Sequence, residues 1–106
     1  MLNKILVIAV MFFLIMLTGS VQASGDIARG AELALECADC HGEDGKGDED
    51  IPSLVRLDAA TLVIFLKAFR SGERSSEDDV MQEYSADLTD QEMADIAAYY
   101  ASLSAN

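Results

Sequence analysis

Both cysteines and the single histidine of this 106-residue chain lie within five consecutive residues, Cys37-Ala38-Asp39-Cys40-His41. A disulfide therefore cannot join distant parts of the chain. A structural zinc site needs four ligands, and the cysteines and histidine together provide no more than three. Any covalent or metal-dependent support for the fold must begin from this one segment.

The first 23 residues are almost free of charge. Asn3 and Lys4 precede a run of 13 apolar residues, 5–17, and a stretch of small residues ends at Ala23. This pattern is typical of a secretory signal peptide cleaved after Ala23. The run is shorter than the roughly 20 residues that span a bilayer, and an uncleaved anchor is the alternative. We expect a signal peptide at 1–23, a mature domain at 24–106 and a periplasmic location, without stable membrane insertion after cleavage.

The mature domain is small and strongly acidic. It keeps six of the seven basic residues and all 19 acidic ones. Because binding to phosphates requires clustered Lys and Arg, a nucleic-acid-binding protein is excluded, and docking on an anionic membrane is disfavoured. A domain of this size buries little apolar surface and usually needs a disulfide, a metal or a cofactor for stability.

The hydrophobic pattern of the mature domain is helical and shows no strand alternation. Three helices are predicted: over 26–36, over 58–71 with Asp58 as N-cap and Gly72 as the stop, and from Thr89 onward, where Thr89 and Glu92 form a capping box. A short fourth helix is expected over 75–82. The acidic, glycine-rich stretch 42–50 is predicted to be a loop. The fold class is therefore all-α, with three main helices and a short fourth one.

The five-residue segment matches the C-x-x-C-H signature of covalent haem attachment. Two thiols separated by two residues can reach the two vinyl groups of one haem, and the adjacent His41 then lies beneath the iron. Three interpretations compete: a thioredoxin-like pair would need a neighbouring strand, a zinc site lacks a fourth ligand, and a disulfide would not account for His41. We predict one haem c, attached through Cys37 and Cys40, with its iron bound by His41.

The opposite axial position decides the function, because a thioether there favours electron transfer and an open site favours chemistry on small molecules. Met93 lies in the apolar stripe of the last predicted helix, where a role in the core is expected. Met81 lies before that helix in an irregular stretch, 40 residues after His41, which is long enough to reach the opposite face of the haem. We predict Met81 as the second axial ligand, the alternative being a loop methionine that packs on the core.

Residues 24–106 resemble a class I cytochrome c. In that family the first helix ends in the haem motif and crosses the last helix, and a methionine from a late loop is the second ligand. Gly30, Ile96 and Tyr99 match the positions where the family packs a glycine against apolar and aromatic partners. The resemblance also implies that the carbonyl of Pro52, the single proline, accepts a hydrogen bond from the ring N–H of His41 and fixes the imidazole orientation.

Two narrower resemblances concern the function. The spacing from Met81 to Leu88-Thr89-Asp90 is similar to that of small bacterial cytochromes of the c4 and c553 type. The segments 52–54 and 69–73, followed by Met81, resemble the haem subunit of flavocytochrome c sulfide dehydrogenase, which accepts electrons from a flavoprotein. These resemblances imply one-electron transfer by a free carrier or by such a subunit, with redox proteins, including a flavoprotein, as partners. The alternative is a haem enzyme or gas sensor with an open sixth iron position.

Acidic side chains are concentrated in the segments 43–50 and 73–79. A run of like charges is usually a solvated face. If these segments flank the haem, they would favour a redox partner with a basic or neutral docking surface and repel an acidic one.

Overall fold

A computed structural model of the chain describes residues 25–104, so the predicted signal peptide lies outside the described residues. This part contains four α-helices and a 3-10 turn at Glu77–Asp79, the helices being α1 (Ile27–His41), α2 (Ala59–Ser71), α3 (Val80–Ala86) and α4 (Asp90–Ser104). No strand occurs between residues 25 and 104, and the predicted all-α fold class is confirmed. No helix in this range is long and apolar enough to cross a membrane.

Helix α2 begins and ends at the capping residues that the sequence indicates, and helix α4 begins at its predicted capping box. The Asp58 carboxylate accepts a hydrogen bond from the Thr61 N–H at 2.7 Å, and α2 ends at Gly72, whose φ of 83° is left-handed. At the start of α4, Thr89 Oγ1 accepts from the Glu92 N–H and Glu92 Oε1 accepts from the Thr89 N–H, both at 3.0 Å. This reciprocal pair is the predicted capping box, and it satisfies two backbone donors at the start of the helix.

Helix α1 is longer than predicted. It continues past residue 36 and includes the whole cysteine and histidine motif. The helix stops only at Gly42, whose φ of 84° is outside the helical range and whose N–H still bonds to the Ala38 carbonyl. The motif is therefore part of a regular helix.

The short fourth helix lies later in the chain than the predicted range 75–82. The structure has the 3-10 turn first and then α3, so that Met81 is the second residue of a helix and does not lie in an irregular stretch. The cause is the backbone of Asp78 and Asp79, whose φ values of 55° and 59° interrupt the helical path. A regular helix can begin only after them, at Val80.

Helices α1 and α4 cross with their backbones in close contact. A Cβ atom built on Gly30 would overlap the Asp95 carbonyl and lie 2.9 Å from the Tyr99 Cβ. The Asp26 N–H also donates to Asp95 Oδ1 at 2.7 Å, which fastens the start of α1 to α4. Helix α2 packs on α4 and on α3. The side chains buried between these helices are Ala34, Leu62, Leu66, Met93, Ile96, Ala97 and Tyr100.

Replacing Gly30 by alanine should lower the free energy of unfolding, although alanine is normally favoured over glycine inside a helix by about 1 kcal/mol. The added methyl group would meet backbone atoms of α4, which cannot move aside without separating the two helices. We expect a loss of about 1–3 kcal/mol, measured by denaturant unfolding. The control is Leu35→Ala on the same helix, where the side chain is 72% exposed, and a change below about 0.5 kcal/mol is expected. A Gly30→Ala protein as stable as the wild type would contradict the close crossing.

Candidate functional site

The last turn of α1 carries the three side chains of the predicted haem site. Cys40 and His41 follow Cys37 by three and four residues, so both lie on the same side of the helix as Cys37. Cys40 is exposed, Cys37 is partly buried, and His41 is 6% exposed. The arrangement places two cysteine sulfur atoms beside one imidazole.

The imidazole of His41 is held by the chain that follows the helix. Its Nδ1–H donates a hydrogen bond to the Pro52 carbonyl oxygen at 2.8 Å. Because a carbonyl can only accept, this bond keeps the proton on Nδ1 and leaves Nε2 as the nitrogen that can bind a metal. The structure therefore brings together His41 and Pro52, the backbone partner expected for it.

The loop between α1 and Pro52 is folded back on itself by hydrogen bonds. The Gly47 N–H donates to the His41 carbonyl at 2.8 Å, and the Leu54 N–H donates to the Gly45 carbonyl at 2.7 Å. A Cβ on Gly45, whose φ is 70°, would lie 2.7 Å from the Tyr100 ring. The loop therefore packs closely against α4 and returns to the end of α1, where it delivers the Pro52 carbonyl.

Asp48 closes the tip of this loop. Its Oδ1 accepts hydrogen bonds from the N–H groups of Asp50 and Ile51, both at 2.8 Å. These bonds, first that from Ile51, lower the pKa of the Asp48 carboxyl, because they favour its charged form. The carboxylate itself is exposed, so its role is to shape the turn before Pro52.

Tyr100 is a site residue for which the sequence predicts only a position in the apolar stripe of α4. Its side chain is 1% exposed, and it belongs to the core against which Cys37 packs. Burial is the main cause that raises the pKa of the Tyr100 hydroxyl. No local sequence pattern indicates this contact, because Cys37 and Tyr100 are far apart in the chain.

The two methionines of the described region occupy different places. Met93 is completely buried in the core between the helices. Met81 is half-buried and packs against the edge of that core from α3. Of the two thioethers, that of Met81 is the one at the boundary between core and surface.

The residues present fit a covalently bound haem. Two cysteines and a histidine with a free Nε2 supply the attachment points and a ligand of the type that c-type haem uses. Two buried hydroxyls, Ser53 Oγ and Ser85 Oγ, have no hydrogen-bond partner among the described residues. Ser53 follows Pro52 and Ser85 lies one helical turn after Met81, so both adjoin the segments predicted to contact the haem. A buried hydroxyl without a partner is costly, and a bound group with polar substituents would remove that cost.

Sequence comparisons point to the same class of protein. The profile of the family described as "Cytochrome c" matches residues 27–104. Cytochrome c-554(548) of Halomonas halodenitrificans is 40% identical over 81 residues, which cover 74% of this chain and 98% of that protein. The cytochrome subunit of sulfide dehydrogenase of Chlorobaculum tepidum is 36% identical over 77 residues, covering 73% of this chain and 68% of that protein.

A longer relative is matched only in part. Cytochrome c4 of Pseudomonas aeruginosa is 37% identical over 87 residues, which cover 81% of this chain and 42% of that protein. This chain therefore spans less than half the length of that cytochrome.

Together with the helical fold and the motif at the end of α1, these matches show that the chain is a small haem protein that transfers electrons. The chain belongs to the cytochrome c family, as its resemblance to a class I cytochrome c implied. Its cofactor is covalently bound haem c with iron, and that prediction is confirmed.

Replacing Asp48 by alanine should destabilise the loop that carries Pro52, and the loss should depend on pH. The pKa of Asp48 is lower in the folded protein than in the unfolded chain. Its stabilising contribution is therefore fully present above the ordinary aspartate pKa of about 3.9 and is lost as the pH falls through the lower folded value.

Denaturant unfolding of the haem-loaded protein at neutral pH and in acid would measure this effect. The difference between wild type and Asp48→Ala should shrink in acid. Asp50→Ala is the matched control in the same loop, because the Asp50 carboxylate makes no hydrogen bond in the described structure and its N–H remains. An Asp48→Ala difference that is unchanged in acid would contradict the assigned role.

Proposed function

We propose that this cytochrome carries single electrons in the periplasm, with His41 and Met81 as the axial ligands of its haem iron. The observation that carries the proposal is the 2.8 Å hydrogen bond from His41 Nδ1 to the Pro52 carbonyl, because it presents Nε2 in a fixed orientation at the end of α1. The haem, once bound, supplies an iron that cycles between Fe(III) and Fe(II). Electron transfer needs no substrate site on the iron, so both axial positions can be filled by the protein.

The residues of the chain hold and shield this centre. The Pro52 carbonyl keeps the His41 ring in one tautomer and raises its strength as a ligand. The Met81 thioether is a soft ligand that raises the reduction potential. Tyr100 belongs to the core against which the attachment residue Cys37 packs, and the loop glycine Gly45 packs on the Tyr100 ring.

The position of Met81 supports its assignment over Met93. A side chain at the edge of the core is available to a group that packs against that core, and Met81 lies at such an edge on α3. Met93 is enclosed by core side chains and would have to leave them to bind. The competing function, a haem enzyme or gas sensor, requires an open sixth position and therefore requires that Met81 does not bind.

Replacing Met81 by leucine should abolish the weak charge-transfer band from sulfur to iron in the ferric absorption spectrum and lower the reduction potential. The matched control is Met93→Leu, a substitution of similar volume in the core, which should keep both properties at a stability cost below about 1.5 kcal/mol. A wild-type ferric spectrum without this band would favour the open-site enzyme or sensor.

We infer that the domain acts as a free carrier. This is supported by the match to cytochrome c-554(548), whose name mentions no partner enzyme and of which 98% is covered, against 68% for the sulfide dehydrogenase subunit. The segment 69–73, which resembles that subunit, has a structural explanation: Arg70 donates hydrogen bonds to the Leu88 carbonyl at 3.0 Å and to Asp90 Oδ1 at 2.6 Å. Arg70 therefore connects α2 to the start of α4. This contact would serve a free carrier and a subunit equally, so it does not distinguish them. Co-purification of a flavoprotein with the native protein would instead establish the subunit.

Another relative indicates the class of protein that donates the electron. One protein that is 42% identical over 67 residues is the thiosulfate dehydrogenase electron acceptor of Stutzerimonas stutzeri, of which 30% is covered. With the sulfide dehydrogenase subunit, two of the relatives are thus named for dehydrogenases of reduced sulfur compounds. We propose a dehydrogenase of this class as the donor.

The acidic segments 43–50 and 73–79 support docking to a basic or neutral partner surface. Within residues 25–104, the ion pairs join Arg29, Lys67 and Arg70 to carboxylates outside both segments. The carboxylates of the two segments therefore form none of these ion pairs, and they outnumber Lys46 and Arg74, the two basic residues within the segments. Their electrostatic field extends into solvent and attracts a partner with a positively charged surface.

The rate of electron exchange with a basic redox protein should fall between about 0.01 M and 1 M salt, where the Debye length shrinks from about 30 Å to about 3 Å. A neutral small-molecule oxidant should show no such fall. Glu49→Gln should weaken the salt dependence, whereas Glu32→Gln removes an equal charge outside both segments and should leave it nearly unchanged. A rate independent of salt would contradict docking through these segments.

A further inference from the structure

The helix that carries Met81 begins in an unusual way. Asp78 and Asp79 both have left-handed φ values, 55° and 59°, which side-chain-bearing residues rarely adopt. Asp79 occupies the N-cap position of α3 but makes no capping hydrogen bond with its own side chain. This backbone therefore persists because something else holds it.

The structure shows what holds it. Ser76 Oγ accepts a hydrogen bond from the Met81 N–H at 2.9 Å and donates to Gln82 Oε1 at 2.7 Å. The same Gln82 oxygen accepts from the Ser76 N–H at 3.1 Å, and Gln82 Nε2 donates to Asp79 Oδ1 at 2.8 Å. These four hydrogen bonds, which we call the Ser76–Gln82 clamp, close the chain around the left-handed pair and end directly on the backbone of Met81.

We propose that Ser76 and Gln82 are positioning residues that hold Met81 against the haem iron and so set how easily another ligand displaces it. This inference rests on the proposed His41 and Met81 ligation. Both residues are partly buried, and the bonds they form connect residues within the segment 76–82 only. The clamp therefore fixes where α3 begins, and α3 also packs on α2.

A local clamp matters because a thioether binds iron weakly. An external ligand can bind only in the fraction of molecules in which Met81 has left the iron, so its apparent affinity is proportional to that fraction. If the clamp holds Met81 in place, removing it increases this fraction. The affinity of the ferric protein for added imidazole thus measures the clamp without measuring global stability.

The test uses the haem-loaded protein with Ser76→Ala and, separately, Gln82→Ala, titrated with imidazole in the ferric state. Ser76→Ala removes two of the four hydrogen bonds of the clamp, and Gln82→Ala removes three. We expect the apparent imidazole affinity of each variant to rise by about tenfold. Ser76→Thr keeps the hydroxyl and should bind imidazole as the wild type does. Gln91→Ala is the matched control, because Gln91 bonds to Asp95 at 2.9 Å on α4 and has no bond to the clamp.

The outcomes separate this inference from the proposed function. A wild-type protein without the sulfur-to-iron band would overturn both. A wild type that shows the band, with imidazole affinity unchanged in Ser76→Ala and Gln82→Ala, would overturn the clamp alone. A lowered unfolding midpoint in these variants without a change in imidazole affinity would show a purely structural role and would likewise overturn it. Higher affinity in both alanine variants, with Ser76→Thr and Gln91→Ala unchanged, is the result that supports it.

Discussion

The contact between the backbones of α1 and α4 determines where the haem attachment motif lies. Gly30 permits that contact, and the Asp26 N–H bound to Asp95 Oδ1 at 2.7 Å fastens the start of α1 to its partner. Because Cys37 and His41 lie in the last turn of the same uninterrupted helix, the crossing also sets their position relative to α4. The packing of Cys37 against the core that contains Tyr100 follows from this geometry.

The two predicted axial ligands are supported by different kinds of interaction. His41 is held by backbone groups, since its ring bonds to the Pro52 carbonyl and its own carbonyl accepts from the Gly47 N–H. Such bonds survive most side-chain substitutions, so the histidine side of the haem is a property of the fold. The Met81 N–H is bound by the Ser76 hydroxyl, which in turn bonds to Gln82, so the support of Met81 depends on two side chains. In the proposed ligation, the methionine side is therefore where the redox properties of such a domain are most easily adjusted.

The parts of the structure that could be predicted from sequence are those encoded by a few neighbouring residues. The Asp58 cap, the Thr89 and Glu92 capping box and the C-x-x-C-H motif each depend on local spacing, and each lies where it was expected. The start of α3 was not predictable, because the left-handed backbone of residues 78 and 79 is stabilised by a network that no short pattern specifies. The contact of Tyr100 with Cys37 was missed for another reason, since it joins residues far apart in sequence that only the helix crossing brings together.

The large excess of acidic residues has a structural use besides its effect on partners. Asp26, Asp58 and Asp48 each accept hydrogen bonds from backbone N–H groups, and Asp95 accepts one from Asp26. Backbone hydrogen bonds lower the pKa of Asp48, Asp58 and Asp95, so these carboxylates stay charged in mildly acidic solution. A carboxylate that caps a helix or closes a turn needs no basic partner, which is how the chain can fold with few Lys and Arg residues. Because these caps and turns require only some of the carboxylates, most of those in 43–50 and 73–79 remain to create the field that a redox partner meets.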